Sequence, residues 1–233
     1  MQIYSAALLP AIRSGIVQLC PLPDVSFPSF EAITLGTLWL SSLNQRKLLL
    51  QEQGIQILLH LLQRKNLYHH SSRVQYLASH MAHSLSLPQT EIAAIELAAL
   101  LHDTGKLLLS HNILQKTEKL TPQEFEEVKK HSVLGARLLR GMLMTEEVIS
   151  LVYHHHERWD GTGYPDGIAG DTIPIGARII TVCDAFDAMT SQRPYHHPRT
   201  PTQALTQLKC CAGTQFDPFL VSHFCILFQC SQL

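Results

Sequence analysis

The feature that most limits how this chain can fold is an almost unbroken apolar run over residues 92–101, which ends directly in His102-Asp103. A run that is apolar on nearly every side predicts a buried helix. A histidine and a carboxylate at the end of such a helix need compensation, because an uncompensated buried charge is very costly. Hydrogen bonds, a paired cation or a bound metal ion can each provide it.

The chain from about residue 46 onward has a helical pattern. Thr121-Pro122-Gln123-Glu124 and Thr200-Pro201-Thr202-Gln203 both have the sequence of a capping box with proline at the first helical position. Asp217-Pro218 predicts a further helix start. No alternating strand pattern of useful length occurs, and residues 158–171 form one conspicuous glycine-rich loop. The sequence therefore predicts an all-α fold with a single glycine-rich loop.

The composition of the chain limits which partners it can bind and where in the cell we expect it. With 18 basic and 19 acidic residues the net charge is −1, so no overall positive field attracts duplex nucleic acid. The start of the chain lacks the basic region of a signal peptide, and the uncharged stretch 32–43 is too short to span a bilayer. We expect a cytoplasmic protein without a membrane span, with residues 1–45 as an N-terminal extension of unknown role and residues 46–233 as one domain.

Helix periodicity separates the histidines that face the interior from those that do not. Four histidines lie one helical turn from apolar residues on the buried sides of their helices, and with the histidine of the His-Asp pair they make five. The expected inward set is His70, His102, His131, His155 and His156. His69 and His154 fall on polar faces, so we expect both outside the set. The helix that carries His131 is predicted to bury Phe125 and Val128 on the same side.

Two aspartates, Asp103 and Asp184, stand among apolar neighbours and each requires a cation. Neutral imidazole together with carboxylate suits Zn, Fe, Mn or Ni, and the absence of cysteine from the set argues against a structural zinc site. Five imidazoles and two carboxylates exceed what one ion requires, so the sequence predicts two divalent ions that share a carboxylate. The alternative is a group of hydrogen-bonded core histidines without metal.

The ordered motifs resemble the HD-GYP subgroup of the HD-domain metal-dependent phosphohydrolases over roughly residues 60–225. The motifs that carry the resemblance are His70-Ser71-Ser72-Arg73-Val74, His102-Asp103-Thr104-Gly105-Lys106, Lys130-His131, His155-His156-Glu157-Arg158-Trp159-Asp160-Gly161-Thr162-Gly163-Tyr164-Pro165-Asp166-Gly167, Asp184-Ala185-Phe186-Asp187-Ala188-Met189-Thr190-Ser191, Gln192-Arg193-Pro194-Tyr195 and Gly213-Thr214-Gln215-Phe216-Asp217-Pro218. The resemblance implies an HD-domain helical bundle in which residues 158–171 form the GYP loop.

The resemblance also implies a bacterial enzyme that hydrolyses the second messenger cyclic di-GMP to pGpG, GMP or both, using two divalent ions, Fe or Mn, and a hydroxide between them. The implied catalytic residues are Asp103 and Lys106, with Lys106 at the scissile phosphate. The first ion would be held by His70, His102, Asp103 and Asp184. Asp103 would bridge to a second ion held by His131, His155 and His156. Gly163, Tyr164, Pro165 and Arg193 would contact the substrate, and Asp187 would orient a ligand.

Two positions depart from the family pattern. Asn66 stands where some members use a glutamate for a third metal, so we expect two ions rather than three. His196 stands at a substrate-binding position where the family often has lysine, which predicts weaker binding of cyclic di-GMP or a related cyclic dinucleotide as substrate. The alternative function is a cyclic-dinucleotide-binding or protein-interaction module with little turnover. A homodimer and contacts with signalling proteins are further expectations.

Overall fold

A computed structural model of the chain describes residues 34–116, 118–192 and 197–230, and it describes side chains within 44–116, 118–192 and 197–228. Arg193 and His196 lie outside the described residues. The structure divides between Ile57 and Leu58 into two compact units, and the description below concerns the second, Leu58–Leu233. The domain boundary near residue 46 stays a prediction.

The described residues form α-helices and short 3-10 helices, with no strand among them. The α-helices are α1 Thr34–Arg64, α2 Tyr68–Ser84, α3 Gln89–Leu101, α4 His111–Leu114, α5 Pro122–Gly141, α6 Glu146–His154, α7 Ile175–Thr190, α8 Pro201–Cys210 and α9 Pro218–Cys230. The 3-10 helices are Thr104–Leu108 and Gly170–Thr172. The predicted all-α fold is confirmed.

The helix starts follow from local sequence. Thr121 and Thr200 each begin a capping box in which the threonine side chain accepts the backbone N–H three residues on, and the side chain at that position accepts the threonine N–H. At the start of α9, Asp217 Oδ1 accepts the backbone N–H groups of Phe219 and Leu220 at 2.8 and 3.3 Å. All three predicted helix starts are therefore confirmed.

The apolar run at residues 92–101 is the central helix, α3. It packs against α2, α6 and α7, and nine of its 13 residues are buried. The 3-10 helix that follows His102-Asp103 packs against α5, which in turn packs against α6. The carboxyl end of α3 therefore lies where α2, α5, α6 and α7 can each contribute side chains.

The GYP loop folds back onto the end of α6. Glu157 is only 2% exposed, and its Oε1 accepts the backbone N–H groups of Asp166 and Gly167 at 2.7 and 3.1 Å. Gly163 lies so close to the Glu157 backbone that a Cβ atom there would stand 2.6 Å from Glu157 Cα. The Tyr164 N–H donates to the carbonyl oxygen of His156 at 3.2 Å. One buried carboxylate and one close backbone approach therefore fix the shape of the loop.

One expectation about α5 is wrong. Phe125 is 48% exposed rather than buried, with Lys129 Nζ 5.0 Å from its ring centroid. Val128, also expected to be buried, is only half-buried, and the buried residues of α5 begin at His131, so about the first two turns of the helix extend beyond the core. Across the described part of the chain, no helix combines the length and the apolar character that a bilayer span requires.

We predict that Gly105→Ala destabilises the fold strongly, whereas Gly141→Ala does not. A Cβ atom at position 105 would overlap the carbonyl oxygen of His131 and crowd the Gly135 amide, so α5 would be pushed away from the 3-10 helix. We expect a loss of about 3 kcal/mol or more. Gly141 lies at the end of α5 with open space around it, so alanine at position 141 should raise the free energy of unfolding by roughly 0.5–1 kcal/mol. Urea unfolding of both variants measures the difference, and equal stabilities would contradict the close approach.

Candidate metal centre

Seven side chains from five segments converge at the carboxyl end of α3. They form three groups, and within each group the candidate ligand atoms lie within 4.8 Å of one another. The groups are His70, His102 and Asp184; His131, His155 and His156; and His102, Asp103 and His155. The structure thus brings together every residue of the predicted ligand set. The positions follow from the fold, since α2, α5 and α7 each carry one residue and the ends of α3 and α6 each carry a pair.

The backbone fixes the tautomers of three of these histidines. His102, His131 and His155 each place Nδ1 at 2.6–2.8 Å from the carbonyl oxygen three residues earlier in the chain. A carbonyl oxygen only accepts hydrogen bonds, so each Nδ1 carries the proton. In the neutral ring the lone pair is then on Nε2, which points into the cluster.

Two of these lone pairs face each other, because His131 Nε2 lies 3.3 Å from His155 Nε2. The Nε2 atom of His156 also lies close to His131 Nε2, at 3.1 Å. His102 Nε2 and Asp103 Oδ1 are buried without a hydrogen-bond partner among the described residues. Acceptors that meet at such distances in a buried site repel one another, and orphaned buried polar atoms are costly. The donor set therefore fits divalent cations, which satisfy several acceptors at once.

Asp103 stands between the two outer groups. Its Oδ2 is 3.5 Å from His102 Nε2 and 3.9 Å from His70 Nε2, while its Oδ1 is 3.6 Å from His131 Nε2. Lys106 Nζ lies 2.7 Å from Oδ2 and gives this carboxylate one positive partner. That single ammonium group does not reach the orphaned Oδ1 or the facing imidazoles, so the predicted compensation by a paired cation is incomplete.

Burial dominates the protonation of the imidazoles. Burial lowers the pKa of His131 to about 4 and the pKa of His156 to about 3, and it lowers the pKa of His155 well below the usual value. Burial alone would also lower the pKa of His70, but hydrogen bonds to Asp184 and Asp187 outweigh it and raise that pKa to about 9. Three of the imidazoles are therefore neutral at pH 7, as metal ligation requires.

The carboxylates of the buried Asp103 and the partly buried Asp184 remain ionised. Burial would raise the pKa of Asp103, but the positive charge of Lys106 and the neighbouring histidines hold it well below the usual value. Burial acts in the same direction on the pKa of Asp184, and the hydrogen bond from His70 outweighs it, so that this pKa is also lowered. The centre thus combines two ionised carboxylates with three neutral imidazoles, while His70 carries a proton at pH 7 in the metal-free chain.

A cavity of about 610 Å³ opens onto this centre. The residues that line it outside the ligand set include Asn66, His69, Lys106, Tyr164 and Gln192. The Tyr164 ring is 4.9 Å from the His156 ring, and burial together with the charges of Asp103 and Asp184 raises the pKa of its hydroxyl, so this hydroxyl stays protonated. Residue 66 contributes an amide and no carboxylate to the wall. The cavity thus offers hydrogen-bond donors beside the acceptor cluster.

Some residues around the ligand cluster lie where the sequence predicted, and others have contacts that it did not predict. His154 lies outside the cluster as expected, with Nδ1 2.9 Å from the carbonyl oxygen of Ser150. His69 is exposed as expected, yet it lines the cavity. Arg73, which the sequence analysis did not assign to the site, also lines the cavity and binds Asp187. Asp187 itself lies 2.6 Å from His70 Nδ1, in agreement with its expected role of orienting a ligand. The i, i+3 spacing of His70 with Arg73, and of Asp184 with Asp187, was the available signal for this contact.

Comparison with known proteins agrees with the geometry. The family described as HD domain matches residues 56–220. A Thermotoga maritima protein named cyclic di-GMP phosphodiesterase is 38% identical over 161 residues, which cover 67% of this chain and 43% of that protein. A Vibrio cholerae protein named 3'3'-cGAMP-specific phosphodiesterase 2 is 38% identical over 157 residues, covering 65% of this chain and 30% of that protein. The chain thus spans less than half the length of either relative.

A solved structure with the same fold is that of an HD-GYP protein from Bdellovibrio bacteriovorus, with a TM-score of 0.59 at 20% identity. It covers 81% of this chain and 64% of the solved one. The family match, the relatives and the ordered motifs agree with one another. The chain belongs to the HD domain family, and within it to the HD-GYP group.

Proposed function

We propose that this chain hydrolyses a phosphodiester bond of a cyclic dinucleotide at the centre described above. The observation that carries the proposal is the convergence of neutral, tautomer-fixed imidazoles and two carboxylates beside a cavity of about 610 Å³. Lone pairs aimed at one another have no structural use without a cation, and cations at the wall of a polar cavity suit phosphoryl chemistry. The names of the relatives supply the substrate class.

Two divalent ions account for the donor set. His70, His102 and Asp184 would hold the first ion, His131, His155 and His156 would hold the second, and Asp103 would offer one carboxylate oxygen to each. Imidazole with carboxylate suits Fe or Mn, and we propose one of these as the native metal. Such ions, when bound, lower the pKa of water and offset negative charge on phosphoryl oxygens.

The remaining roles belong to side chains around the cavity. Lys106 Nζ lies beside Asp103 Oδ2 and lines the cavity, so it is placed to contact a phosphoryl oxygen of the bound substrate. Tyr164 keeps its proton and can donate a hydrogen bond, while Gly163 and Pro165 shape the loop that presents it. Arg193 and His196 are proposed as substrate contacts from the family motif alone.

The choice of cyclic dinucleotide has two candidates. The two relatives described above, one named for cyclic di-GMP and one for 3'3'-cGAMP, match this chain at the same 38% identity. We propose cyclic di-GMP as the principal substrate. The second candidate is 3'3'-cGAMP, because position 196 has histidine rather than the lysine that the family often uses to bind cyclic di-GMP. We also propose that the chain forms a homodimer and contacts signalling proteins, and we do not expect it to bind duplex nucleic acid.

The test of the proposed function is turnover by metal-loaded protein. Protein purified without oxygen and loaded with Fe(II) or Mn(II) should convert cyclic di-GMP to pGpG or GMP, followed by chromatography of the nucleotides. Parallel reactions with 3'3'-cGAMP rank the two substrates. Tight binding of either nucleotide with no linear product would contradict the proposed hydrolysis and would show that the chain is a cyclic-dinucleotide-binding module.

We predict that Asp103→Asn lowers metal content and turnover together. The amide keeps the size of the side chain but loses the charge that lies between the two histidine groups. We expect a wild-type content of two ions per chain, loss of at least one ion in the variant, and turnover reduced by roughly 100-fold or more. Elemental analysis and the nucleotide assay measure both effects.

His154→Ala is the matched control for that variant. His154 is adjacent to the ligand pair in sequence, but its ring bonds Ser150 and Asp166 and does not reach the cluster. Its metal content and turnover should stay within about twofold of wild type. Equal losses in the two variants would show that the ligand set is misassigned.

We predict that the metal-free protein loses stability as the pH falls from about 6.5 towards 4.5. The pKa of His131 is about 4 in the folded chain and near 6.5 when unfolded, so within this window the unfolded chain binds more protons. Acid therefore favours unfolding, with a slope of up to ~1.4 kcal/mol per pH unit from this residue. The raised pKa of His70 has the opposite effect, because its contribution is complete below pH 6.5 and is lost as the pH rises through about 9.

Urea midpoints in the presence of a chelator measure this dependence. His131→Gln keeps a polar side chain that does not titrate, so its stability should fall less steeply below pH 6.5 than that of wild type. His80→Gln, at an exposed position of α2, is the control and should keep the wild-type slope. Parallel pH profiles for wild type and His131→Gln would contradict a neutral, buried His131.

A further inference from the structure

We propose that Arg73 is a positioning residue for the metal centre, acting through Asp187 on His70. Arg73 is half-exposed and belongs to none of the candidate ligand groups, but its guanidinium holds the carboxylate that orients His70. This inference rests on the proposed metal centre and names a residue that the ligand set does not include.

The first contact in the chain orients the imidazole. His70 Nδ1 lies 2.6 Å from Asp187 Oδ2, so this ring nitrogen donates its N–H to the carboxylate. The other nitrogen, Nε2, then points to the centre, where it lies 3.0 Å from Asp184 Oδ1. Unlike His102, His131 and His155, His70 has no backbone carbonyl on Nδ1. Its orientation therefore depends on side chains rather than on the helix that carries it, with Asp187 on Nδ1 and Asp184, a candidate ligand, on Nε2.

The second contact fixes that side chain. Arg73 Nε donates to Asp187 Oδ1 at 2.5 Å, and Arg73 Nη2 donates to Asp187 Oδ2 at 3.0 Å. A planar guanidinium that binds both oxygens sets the rotation of the carboxylate as well as its position. The Asp187 side chain is only 5% exposed and comes from a helix that also carries Asp184. A buried carboxylate needs a compensating cation, and Arg73 supplies one through two hydrogen bonds.

A third contact links the same guanidinium to the wall of the cavity. Arg73 Nη2 also donates to Ser191 Oγ at 2.8 Å. Ser191 ends α7 and directly precedes Gln192, which lines the cavity. Arg73 therefore joins α2 to the end of α7 at the point where the metal centre and the substrate cavity meet.

The competing role for Arg73 is direct contact with a substrate phosphate. The side chain is 49% exposed and lines the cavity, so an anion can reach it. The two roles differ in what they change: a phosphate contact alters KM and leaves metal affinity intact, whereas a positioning residue alters the affinity of the ion that His70 would hold.

The experiment titrates the metal-free chain of 233 residues with Mn(II) and follows free Mn(II) by electron paramagnetic resonance. The variants are Arg73→Met, which removes the charge, and Arg73→Lys, which keeps the charge but cannot bind both carboxylate oxygens. Arg140→Met and Arg140→Lys are matched controls. Arg140 also binds a carboxylate, that of Glu146, through Nε and Nη2, and its side chain is 58% exposed, but it lies at the far end of α5.

We expect Arg73→Met to weaken one of the two ions by about 10–100-fold and to leave the other within about twofold. Arg73→Lys should fall between Arg73→Met and wild type, and both Arg140 variants should match wild type. In a His70→Gln background, Arg73→Met should add less than about a twofold loss, because its effect passes through His70.

Four results would overturn the proposal. Unchanged metal affinities with a raised KM would make Arg73 a phosphate contact. Equal loss of affinity for both ions, or the same Arg73→Met loss in the His70→Gln background, would show that Arg73 affects the whole site and does not act through His70. If wild type itself took up no metal, the proposed function would fail first and this inference with it. Failure of the inference alone leaves the metal uptake and turnover of the wild-type protein intact.

Discussion

The structure depends on one electrostatic constraint: nitrogen lone pairs that are aimed at each other in a buried place. Backbone carbonyls hold the Nδ1 protons of His102, His131 and His155, so these rings cannot reverse their roles to bond one another. Burial also keeps the His131 and His155 rings neutral. The arrangement is therefore unfavourable until cations occupy it, and the free energy of folding and the affinity for metal are coupled.

The fold has two features that serve this constraint directly. The apolar helix α3 carries His102 and Asp103 to the middle of the bundle, where α2, α5, α6 and α7 can reach them. Gly105 then lets the 3-10 helix approach the backbone of α5 closely, which places His131 near Asp103. Hydrophobic packing thus determines how far apart the ligands lie, and one missing side chain determines whether two of the segments can meet.

Local and periodic signals made much of this predictable. The capping boxes at Thr121 and Thr200 depend on neighbouring residues only, and a period of 3.6 residues was enough to select the inward histidines. The predicted burial of Phe125 was wrong, because periodicity gives the direction of a side chain and not the distance to which the core extends along a helix.

Other contacts could not be derived from residue type. Arg73 leaves α2 on its polar side, and the length of its side chain is what brings the guanidinium to Asp187. The partners of Glu157 are backbone amides of the GYP loop, and no residue type in the sequence marks an amide that needs an acceptor. Arg193 and His196 keep the roles that the family motif predicts.

The join between α6 and the GYP loop has a consequence for how the site responds to its metal. His155 and His156 belong to the candidate centre, and Glu157, the next residue, holds the loop by two amides, while Tyr164 bonds back to the carbonyl of His156. The candidate ligands and the loop are therefore joined both by chain adjacency and by three hydrogen bonds. A shift of the histidine pair on metal binding would therefore move Tyr164 as well, and would couple the shape of the cavity wall to the occupancy of the centre.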